Sequence, residues 1–482
     1  MHAARLLMPA LRWDERSGYA HEESRIREAL SLGVGGFVLF GGEAGAVRAL
    51  VADLRARSGH PLLIASDLER GAGQQFRGAT QLPPLAALGA LDDLAATRQA
   101  AALTAREAVA LGVNWVFAPV ADLDLEPRNP IIGTRAFGAD PVRVSAQVSA
   151  WIDGCRAEGA LCCAKHFPGH GRTTDDSHER LPRVEVSAAE LEIDLTPFRA
   201  AVLAGVDAVM TAHVAYPALD APDRPATLSQ PIIEGLLRDG LGFDGLVATD
   251  AFNMAGVRAA DGEPAAAVAA VAAGCDVICY PSDAAATAGA LEAALGGALS
   301  RGRLARAIGR VNAAAARADH APDDGGVGRV HDAAWALGLA VLCVETVRGT
   351  VACDRMFDLI TIDDDVGGPF PAPLRDAFLS ALRENGFDPR PDDHDATRGA
   401  LIALYADIRA WKGRPGLSAG AKARLADALA QRPDTPVMLF GHPRLADQIG
   451  ASTIVCAWGG EAIMQRAAAR WLADATTPLT AA

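Results

Sequence analysis

The chain has 482 residues, of which 50% are hydrophobic and 22% are charged, and its formal net charge is −14. At roughly 100–200 residues per domain, this length predicts two or three domains, and the high apolar fraction excludes a disordered protein. Acidic residues number 59 against 45 basic ones, which argues against a nucleic-acid-binding protein because such proteins need clustered cations.

The sequence predicts neither membrane insertion nor disulfide bonding. Its apolar stretches are interrupted by charges before they reach the roughly 18 residues that a membrane span needs. The short apolar segment at residues 6–11 contains Pro9 and is followed at once by charges, so a signal peptide is not expected. The eight cysteines are scattered and form no Cys-x-x-Cys pair. We therefore expect reduced, mostly buried thiols in a cytoplasmic protein.

Short apolar runs recur along the first two thirds of the chain, each followed by an Ala- or Leu-rich helical segment. Continuous apolar strands are typical of sheets that are covered on both faces. In chain order the runs are 5–11, 35–40, 61–67, 114–120, 160–167, 207–213, 245–251 and 276–281. Their alternation with helices predicts an α/β fold, a (β/α)8 barrel of the TIM type, with a doubly wound sheet as the alternative.

A stretch rich in Pro, Gly and Asp predicts a linker at residues 320–331. We therefore expect the barrel domain at residues 1–319 and a second domain at residues 332–482. Strand-like runs in the second domain lie at 358–362, 401–405, 436–441 and 453–458. Since they alternate with helical segments, the second domain is expected to be a smaller αβα sandwich. The pattern does not fix its strand order.

Polar residues stand at or just after the ends of five consecutive predicted strands, where barrels of this type carry their active sites. These residues are Asp67, Glu69, Arg70, Asp122, Arg135, Lys165, His166, Asp175, Asp176, His178, His213 and Asp250. A single residue of this kind is ordinarily a helix cap or a satisfied core group. Five strands in a row that end this way indicate a functional site.

Each residue also has a structural interpretation when it is taken alone. Asp250 could cap the helix that follows it, and His213 could be a hydrogen-bonded core histidine. Asp122 could be a strand-end turn residue, and Glu69 a scaffold carboxylate paired with a neighbouring arginine. The local pattern leaves these alternatives open.

Neither a metal site nor a cofactor is predicted. His166 and His170 have the spacing that places two imidazoles on one helix face, but Pro168 lies between them and disfavours a helix. The glycine-rich segment at residues 33–36 precedes a strand and does not join a strand to a helix, so it is not a dinucleotide-binding fingerprint.

The chemistry that suits this set of residues is glycoside hydrolysis. Carboxylates and cations hold pairs of sugar hydroxyls in defined directions. A retaining mechanism needs a nucleophilic carboxylate, for which Asp250 is a candidate. In the Asp176-Ser-His178 segment, a carboxylate could orient the imidazole, which would serve as the acid/base because histidine titrates near neutrality.

Several motifs together resemble the β-N-acetylglucosaminidase branch of glycoside hydrolase family 3. The motifs are Lys165-His-Phe-Pro-Gly-His-Gly171, Asp176-Ser-His178, Thr249-Asp-Ala-Phe-Asn-Met254, Ala118-Pro-Val-Ala-Asp122 and Asn129-Pro-Ile-Ile-Gly-Thr-Arg135. The Asp-Ser-His segment sets this branch apart from the β-glucosidases of the family. The resemblance spans the whole first domain and continues more weakly through the second, at residues 437–443 and up to Trp458.

The resemblance implies roles for individual residues. Asp250 would be the nucleophile, and Asp176 with His178 would form the acid/base dyad. The residues implied to bind the hydroxyls of the terminal sugar are Asp67, Arg135, Lys165 and His166. We add His213 and Met254 as candidate substrate-binding residues.

The loop after the third strand departs from the family pattern. This chain has Asp67-Leu-Glu-Arg-Gly-Ala-Gly-Gln-Gln75, with Gln75 where a sugar-contacting arginine is usual and Arg70 in place of the first glycine. Glutamine supplies no fixed cation. We therefore include Gln75 and Arg70 among the candidate sugar-binding residues, on the hypothesis that Arg70 compensates.

The resemblance implies a glycoside hydrolase, a retaining exo-β-N-acetylglucosaminidase that acts on peptidoglycan fragments or amino-sugar glycosides in peptidoglycan recycling. Its partner would be a small-molecule glycoside or muropeptide, with no nucleic acid and no membrane, and the sequence does not indicate an oligomeric state. Alternatives that keep the same residues are a β-glucoside or β-N-acetylglucosaminide phosphorylase and a broad β-glucosidase. A catalytically silent sugar-binding protein is a third possibility, because fold alone does not decide function.

Overall fold

The computed structural model describes residues 2–257, 262–320, 326–366, 374–391, 399–408 and 412–476. By its contacts the chain divides into two compact units. The first comprises Met1–Thr80, Asp93–Glu126 and Gly138–Arg329, and the second comprises Gln81–Asp92, Pro127–Phe137 and Val330–Ala482. The single domain boundary at residues 320–331 stays a prediction. Two segments that precede it in the chain belong to the second unit.

The first unit contains a curled parallel sheet. Its strands are β1 Leu7–Met8, β2 Ala10–Arg12, β3 Gly36–Phe40, β4 Leu63–Ser66, β5 Trp115–Val116, β6 Leu161–Phe167, β7 Ala208–Thr211, β8 Leu246–Thr249 and β9 Ile278–Cys279. Strands β2 to β8 pair in sequence order. A bridge between Ala248 and Val277 leads on to β9, which pairs with β1. Since only Pro9 separates β1 from β2, these pairings close the ring and confirm the predicted barrel.

Helices follow the barrel strands in the predicted alternation. In this part of the chain they are α1 Glu23–Leu32, α2 Ala44–Arg57, α3 Leu85–Leu91, α4 Leu94–Ala110, α5 Pro141–Ala157, α6 Ala188–Leu203, the π-helix Pro231–Gly240, α7 Glu263–Ala273, α8 Ala284–Ala293 and α9 Arg301–Arg317. The Asp93 side chain caps α4, and Ser187 with Glu190 forms a capping box on α6. Helix α3 belongs to the second unit.

The second unit is built on a mixed sheet with helices on both faces. Its strands are β10 Glu345–Arg348, β11 Met356–Asp363, β12 Asp388–Pro391, β13 Ala400–Ala406, β14 Val437–Gly441 and β15 Ile454–Cys456. They lie in the order β10-β15-β14-β13-β11-β12, and β10 pairs antiparallel to β15 while the other pairs are parallel. The long helices are α10 Val330–Cys343, α11 Asp376–Glu384, α12 Ala419–Gln431 and α13 Ala462–Thr476.

Alternate side chains of the central strands serve the two faces of this sheet. On one face the ring of Phe440 stacks on Tyr405 and meets Phe378 of α11. On the other face Leu404 and Leu439 belong to an apolar cluster that includes Leu425 of α12. This arrangement confirms the predicted αβα sandwich.

The sequence predicts that the chain has no membrane span and that its cysteine thiols are mostly buried. Among the described residues, no helix combines the length and the apolar character that crossing a membrane requires. All eight cysteines fall within the described ranges, and each is a free thiol that is buried, except for the half-buried Cys353. Burial of the thiols is therefore confirmed.

Candidate active site

A buried lysine marks the end of β6. The Nζ atom of Lys165 lies 2.7 Å from Asp67 Oδ1 and 2.7 Å from Glu69 Oε1, and its side chain is 1% exposed. The Tyr280 hydroxyl lies 3.3 Å from the other oxygen of Asp67 and donates to it. Because the Asp67 side chain is 28% exposed, it is the member of this cluster that a ligand can reach.

The neighbouring His166 is held by a buried carboxylate from the adjacent strand end. Asp122 Oδ2 lies 2.7 Å from His166 Nδ1, and both oxygens of Asp122 accept the His166 backbone N–H. Burial alone would raise the pKa of Asp122, but the His166 imidazole and its hydrogen bond hold that pKa below its usual value. Asp122 therefore fixes the tautomer and orientation of His166 and is not merely a turn residue.

Adjacent residues of a regular strand point to opposite faces, yet Lys165 and His166 both carry contacts of this site. The pairing of β6 with β7 shifts register between Lys165 and Phe167. Such a local irregularity re-aims side chains. It accounts for two consecutive polar residues at one end of the barrel.

Asp250 directly follows β8 at the same, carboxyl end of the barrel. Its Oδ1 accepts the backbone N–H of Ala251 at 2.7 Å, and its Oδ2 lies 3.9 Å from His166 Nε2. Burial would raise its pKa, but His166 and the Ala251 N–H hold the pKa of this carboxyl well below its usual range. The side chain is 19% exposed. Asp250 is therefore an ionised carboxylate that a substrate can reach.

His213 is a fully buried residue after β7. Its Nδ1 lies 2.7 Å from Thr227 Oγ1, and its Nε2 lies 3.2 Å from the carbonyl oxygen of Ala251. Burial lowers the pKa of His213 to about 4, so the ring is neutral at physiological pH. These contacts correspond to the core-histidine alternative and place the imidazole under the segment that carries Asp250.

The Asp176 and His178 side chains form a dyad on the loop that follows β6. His178 Nδ1 lies 2.7 Å from Asp176 Oδ1, and the side chains are 43% and 1% exposed, respectively. The Ser177 carbonyl between them accepts the backbone N–H of Gly256 at 3.1 Å. This bond ties the dyad to the segment after Asp250. With Nδ1 engaged, Nε2 is the ring atom of His178 that can exchange a proton with a substrate.

The remaining candidates take different positions. Gln75 Oε1 accepts the backbone N–H of Gly41 at 3.1 Å, so its amide oxygen serves the loop after β3. Arg70 is 9% exposed, and Met254 is 4% exposed and packed in the core. Arg135 ends a 3-10 turn that belongs to the second unit, where the neighbouring Thr134 donates to Asp407 at 2.8 Å. Arg135 Nη1 donates to the carbonyl oxygen of Ile131 at 3.2 Å, also within the second unit.

The sequence does not predict the supporting contacts of three residues. Asp122 is one of the predicted strand-end residues, with a turn role as its alternative, whereas the sequence marks out neither Tyr280 nor Gly256. Asp122 and Tyr280 both stand at or after predicted strand ends, which was the available signal. Gly256 carries no such signal, because its role depends on the close approach of Ser177 from a distant loop.

Comparison with known proteins assigns the family. The model described as the glycosyl hydrolase family 3 N terminal domain matches residues 8–317. A beta-N-acetylglucosaminidase/beta-glucosidase of Cellulomonas fimi is 34% identical over 396 residues, which cover 76% of this chain and 69% of the relative. A beta-hexosaminidase of Chromobacterium violaceum is 41% identical over 268 residues, which cover 53% of this chain and 73% of the relative.

A solved structure is similar over almost the full length. The glycoside hydrolase family 3 beta-N-acetylglucosaminidase from Paenibacillus sp. str. FPU-7 superposes with a TM-score of 0.87 at 28% identity, over 98% of this chain and 96% of that one. The family match covers most of the barrel, and the same barrel presents an ionised carboxylate beside a carboxylate–histidine pair. This chain belongs to glycoside hydrolase family 3.

Proposed function

We propose that this enzyme is a retaining exo-β-N-acetylglucosaminidase that removes terminal N-acetylglucosamine from peptidoglycan fragments or other amino-sugar glycosides. The observation that carries the proposal is the pairing of Asp250 with the dyad of Asp176 and His178. The ionised carboxylate of Asp250 directly follows β8. The imidazole of His178 is oriented by Asp176, and its loop is hydrogen-bonded to Gly256, which follows Asp250 in the chain. The cytoplasmic location expected from the sequence belongs to the same proposal.

In the first step Asp250 attacks the anomeric carbon while the protonated His178 gives its Nε2 proton to the leaving oxygen. The bond from the anomeric carbon to that oxygen breaks as the glycosyl ester of Asp250 forms. His178 is then neutral and keeps the Nδ1 proton that is shared with Asp176. The positive charge of His178 also favours the ionised form of Asp250 before the attack.

In the second step His178 Nε2 takes a proton from water, and the resulting nucleophile attacks the anomeric carbon. The ester bond to Asp250 breaks, which restores the carboxylate and the protonated imidazole. Each step inverts the anomeric carbon, so the product retains the configuration of the substrate.

The sugar is bound by the charged groups around Lys165 and His166. Asp67 offers a carboxylate that is 28% exposed and is fixed on one side by the Lys165 ammonium. The Lys165 ammonium, 2.7 Å away, holds this carboxylate in a fixed direction, so that its oxygens can accept hydrogen bonds from hydroxyls of one ring. We propose that His166 contacts the sugar close to Asp250. Sugar binding by Arg135, which belongs to the second unit, stays a prediction from the sequence. His213 supports the nucleophile segment through its contact with the Ala251 carbonyl oxygen, and the substrate contacts predicted for His213 and Met254 belong to this proposal.

A second candidate is the hydrolysis of β-glucosides by the same residues. The Cellulomonas fimi relative carries both activities in its name. In this chain Gln75, at a position where the family usually has an arginine, bonds to the Gly41 main chain. Without the cationic arginine side chain, the pocket would discriminate less between N-acetylglucosaminides and glucosides.

The deciding experiment compares initial rates on 4-nitrophenyl β-N-acetylglucosaminide and 4-nitrophenyl β-glucoside. We expect the acetamido sugar to be preferred and the Asp250→Asn variant to lose at least about 1000-fold in kcat. Asp153→Asn is the matched control, because Asp153 lies on α5 with a side chain that is 49% exposed. Equal rates on both sugars would favour the second candidate, and an active Asp250→Asn enzyme would contradict the assigned nucleophile.

A further inference from the structure

One histidine at the barrel end has no part in the mechanism above. His170 is 1% exposed. Its backbone N–H donates to Asp122 Oδ1 at 2.6 Å. Its ring lies between two hydroxyls, with Nδ1 2.9 Å from Thr173 Oγ1 and Nε2 3.0 Å from Ser177 Oγ.

The hydrogen bonds around His170 have defined directions. The Thr173 hydroxyl has a single hydrogen, which it donates to the carbonyl oxygen of His170 at 3.1 Å. The Thr173 oxygen therefore accepts from Nδ1–H. The neutral ring then has its lone pair on Nε2, which accepts the Ser177 hydroxyl. Burial lowers the pKa of His170 to about 4, which is consistent with this neutral tautomer.

The His170 imidazole thus stabilises the loop that carries the acid/base dyad. It connects residue 173 to residue 177, and the segment between them includes Asp176. Ser177 is itself 1% exposed, and its carbonyl accepts the N–H of Gly256. Ser177 is therefore held from its side chain by His170 and from its main chain by Gly256, and its two chain neighbours are Asp176 and His178.

We propose that His170 is a positioning residue for the acid/base, which holds Ser177 through Nε2 and thereby places Asp176 and His178 against the leaving group. The proposal rests on the proposed function, in which His178 transfers the proton. The proposal also gives a role to each histidine of the Lys165–Gly171 motif, and both histidines are held by the carboxylate of Asp122. Asp122 orients the ring of His166 toward Asp250 and fixes the main chain of His170 under the dyad loop.

His170 does not exchange protons with the substrate in this arrangement. Both ring nitrogens are engaged by hydroxyls of its own loop, and the side chain is buried. Its influence on the reaction therefore passes through Ser177, which makes the Ser177 hydroxyl the atom to remove.

The test measures kcat/KM, which reports the step up to the glycosyl-enzyme, on two N-acetylglucosaminides. One has a dinitrophenyl leaving group that needs no proton, and the other has an alkyl leaving group that does. General acid catalysis contributes about 10²–10⁴-fold. We expect Ser177→Ala to lose roughly 10-fold or more on the alkyl glycoside and less than about 3-fold on the dinitrophenyl glycoside, as a misplaced acid would. Ser31→Ala on α1, whose hydroxyl donates to its own helix, is the matched control.

The double variant Ser177→Ala/His178→Ala separates positioning from general damage. If His170 and Ser177 act through His178, then Ser177→Ala has no further effect on the alkyl glycoside once His178 is removed. Losses that are equal for both leaving groups, or that add to the loss from His178→Ala, would overturn the proposal. The proposed function fails by a different result, which is that His178→Ala alone shows no dependence on the leaving group.

A conservative replacement guards against misfolding. In His170→Gln, the side-chain amide oxygen can still accept from Ser177, whereas in His170→Leu it cannot. We expect His170→Gln to retain more activity on the alkyl glycoside than His170→Leu, at unchanged KM in both. Equal activity of the two variants would contradict the role assigned to Nε2.

Discussion

Lys165 is the residue of the site whose burial depends most on its partners. Its ammonium is 1% exposed and lies between the carboxylates of Asp67 and Glu69. Removing one member of such a buried cluster leaves uncompensated charge, which costs about 3–5 kcal/mol. We expect Lys165→Met to lower the free energy of unfolding by that order, measured by urea denaturation, since the carboxylates of Asp67 and Glu69 would lose the buried ammonium that lies between them.

The same substitution should weaken substrate binding, because the ammonium fixes the Asp67 carboxylate that is proposed to contact the sugar. A charge-assisted contact is worth about 2 kcal/mol, which corresponds to a loss of about 30-fold in kcat/KM. Lys422→Met is the matched control, because Lys422 is an exposed residue of α12. A Lys165→Met enzyme with wild-type stability and kcat/KM would show that the buried ammonium neither compensates the carboxylates nor supports the sugar site.

At the scale of residues, the sequence predicts candidate side chains but not the contacts that hold them. Asp67, Lys165 and Asp250 were predicted from their places at strand ends, and the strand ends do gather at one side of the barrel. The contacts of Asp122 could not be predicted, because its partners, the main chains of His166 and His170, come from β6 and from the loop that follows it. Pairing between side chain and distant main chain leaves no local pattern.

At the scale of elements, the loop after β6 and the loop after β8 are joined at Gly256. A Cβ atom built there would lie 2.9 Å from the His213 carbonyl oxygen and 3.1 Å from that of Ser177. Both neighbours are main-chain atoms, so one of the loops must shift. We expect Gly256→Ala to cost about 1–3 kcal/mol of stability and to lower kcat/KM most on substrates with poor leaving groups.

A helical glycine provides the control for this prediction. Gly309 lies within α9, and a Cβ atom built on it meets nothing within 4 Å. Gly309→Ala should therefore leave activity unchanged and stabilise α9 by up to about 1 kcal/mol. If Gly256→Ala behaved like Gly309→Ala in both assays, the dyad loop would not depend on its approach to Gly256.

The composition of the strands in the second unit explains which of them the sequence could not predict. The central strands β11, β13 and β14 are apolar runs, and the predicted ranges overlap the observed ones. The edge strands β10 and β12 were missed. All four residues of β10 are exposed, and β12 contains two prolines, so neither carries an apolar pattern.

At the scale of the whole molecule, the sequence predicts one boundary, yet the contacts divide the chain in several places. Helix α3 packs against α10 and against the turn Gly133–Arg135 within the second unit. Its sequence of leucines and alanines predicts a buried helix but does not say which helix buries it. Long-range partners of this kind depend on tertiary packing, which periodicity does not encode.

The stability of the whole chain should depend on pH through its buried histidines. Burial lowers the pKa values of His170 and His213 in the barrel and of His442 in the second unit to about 4. In the unfolded chain a histidine titrates near about 6.5. Between these two values the unfolded chain binds more protons than the folded chain, so stability falls as the pH is lowered through that window.

The expected size is about 2 kcal/mol per histidine at pH 5 relative to pH 8, by linkage. Asp194 and Glu345 work in the opposite direction, because burial raises their pKa values and the folded chain then holds a proton more tightly. Urea midpoints at the two pH values measure the net effect. The His213→Gln variant should be less stable at pH 8 but should show a shallower pH dependence, since one titrating group is gone. His331→Gln, at a side chain that is 73% exposed, is the matched control. If the midpoint rose on acidification, the two carboxyls would outweigh the three histidines, and the neutral state assigned to His170 and His213 would lose its thermodynamic support.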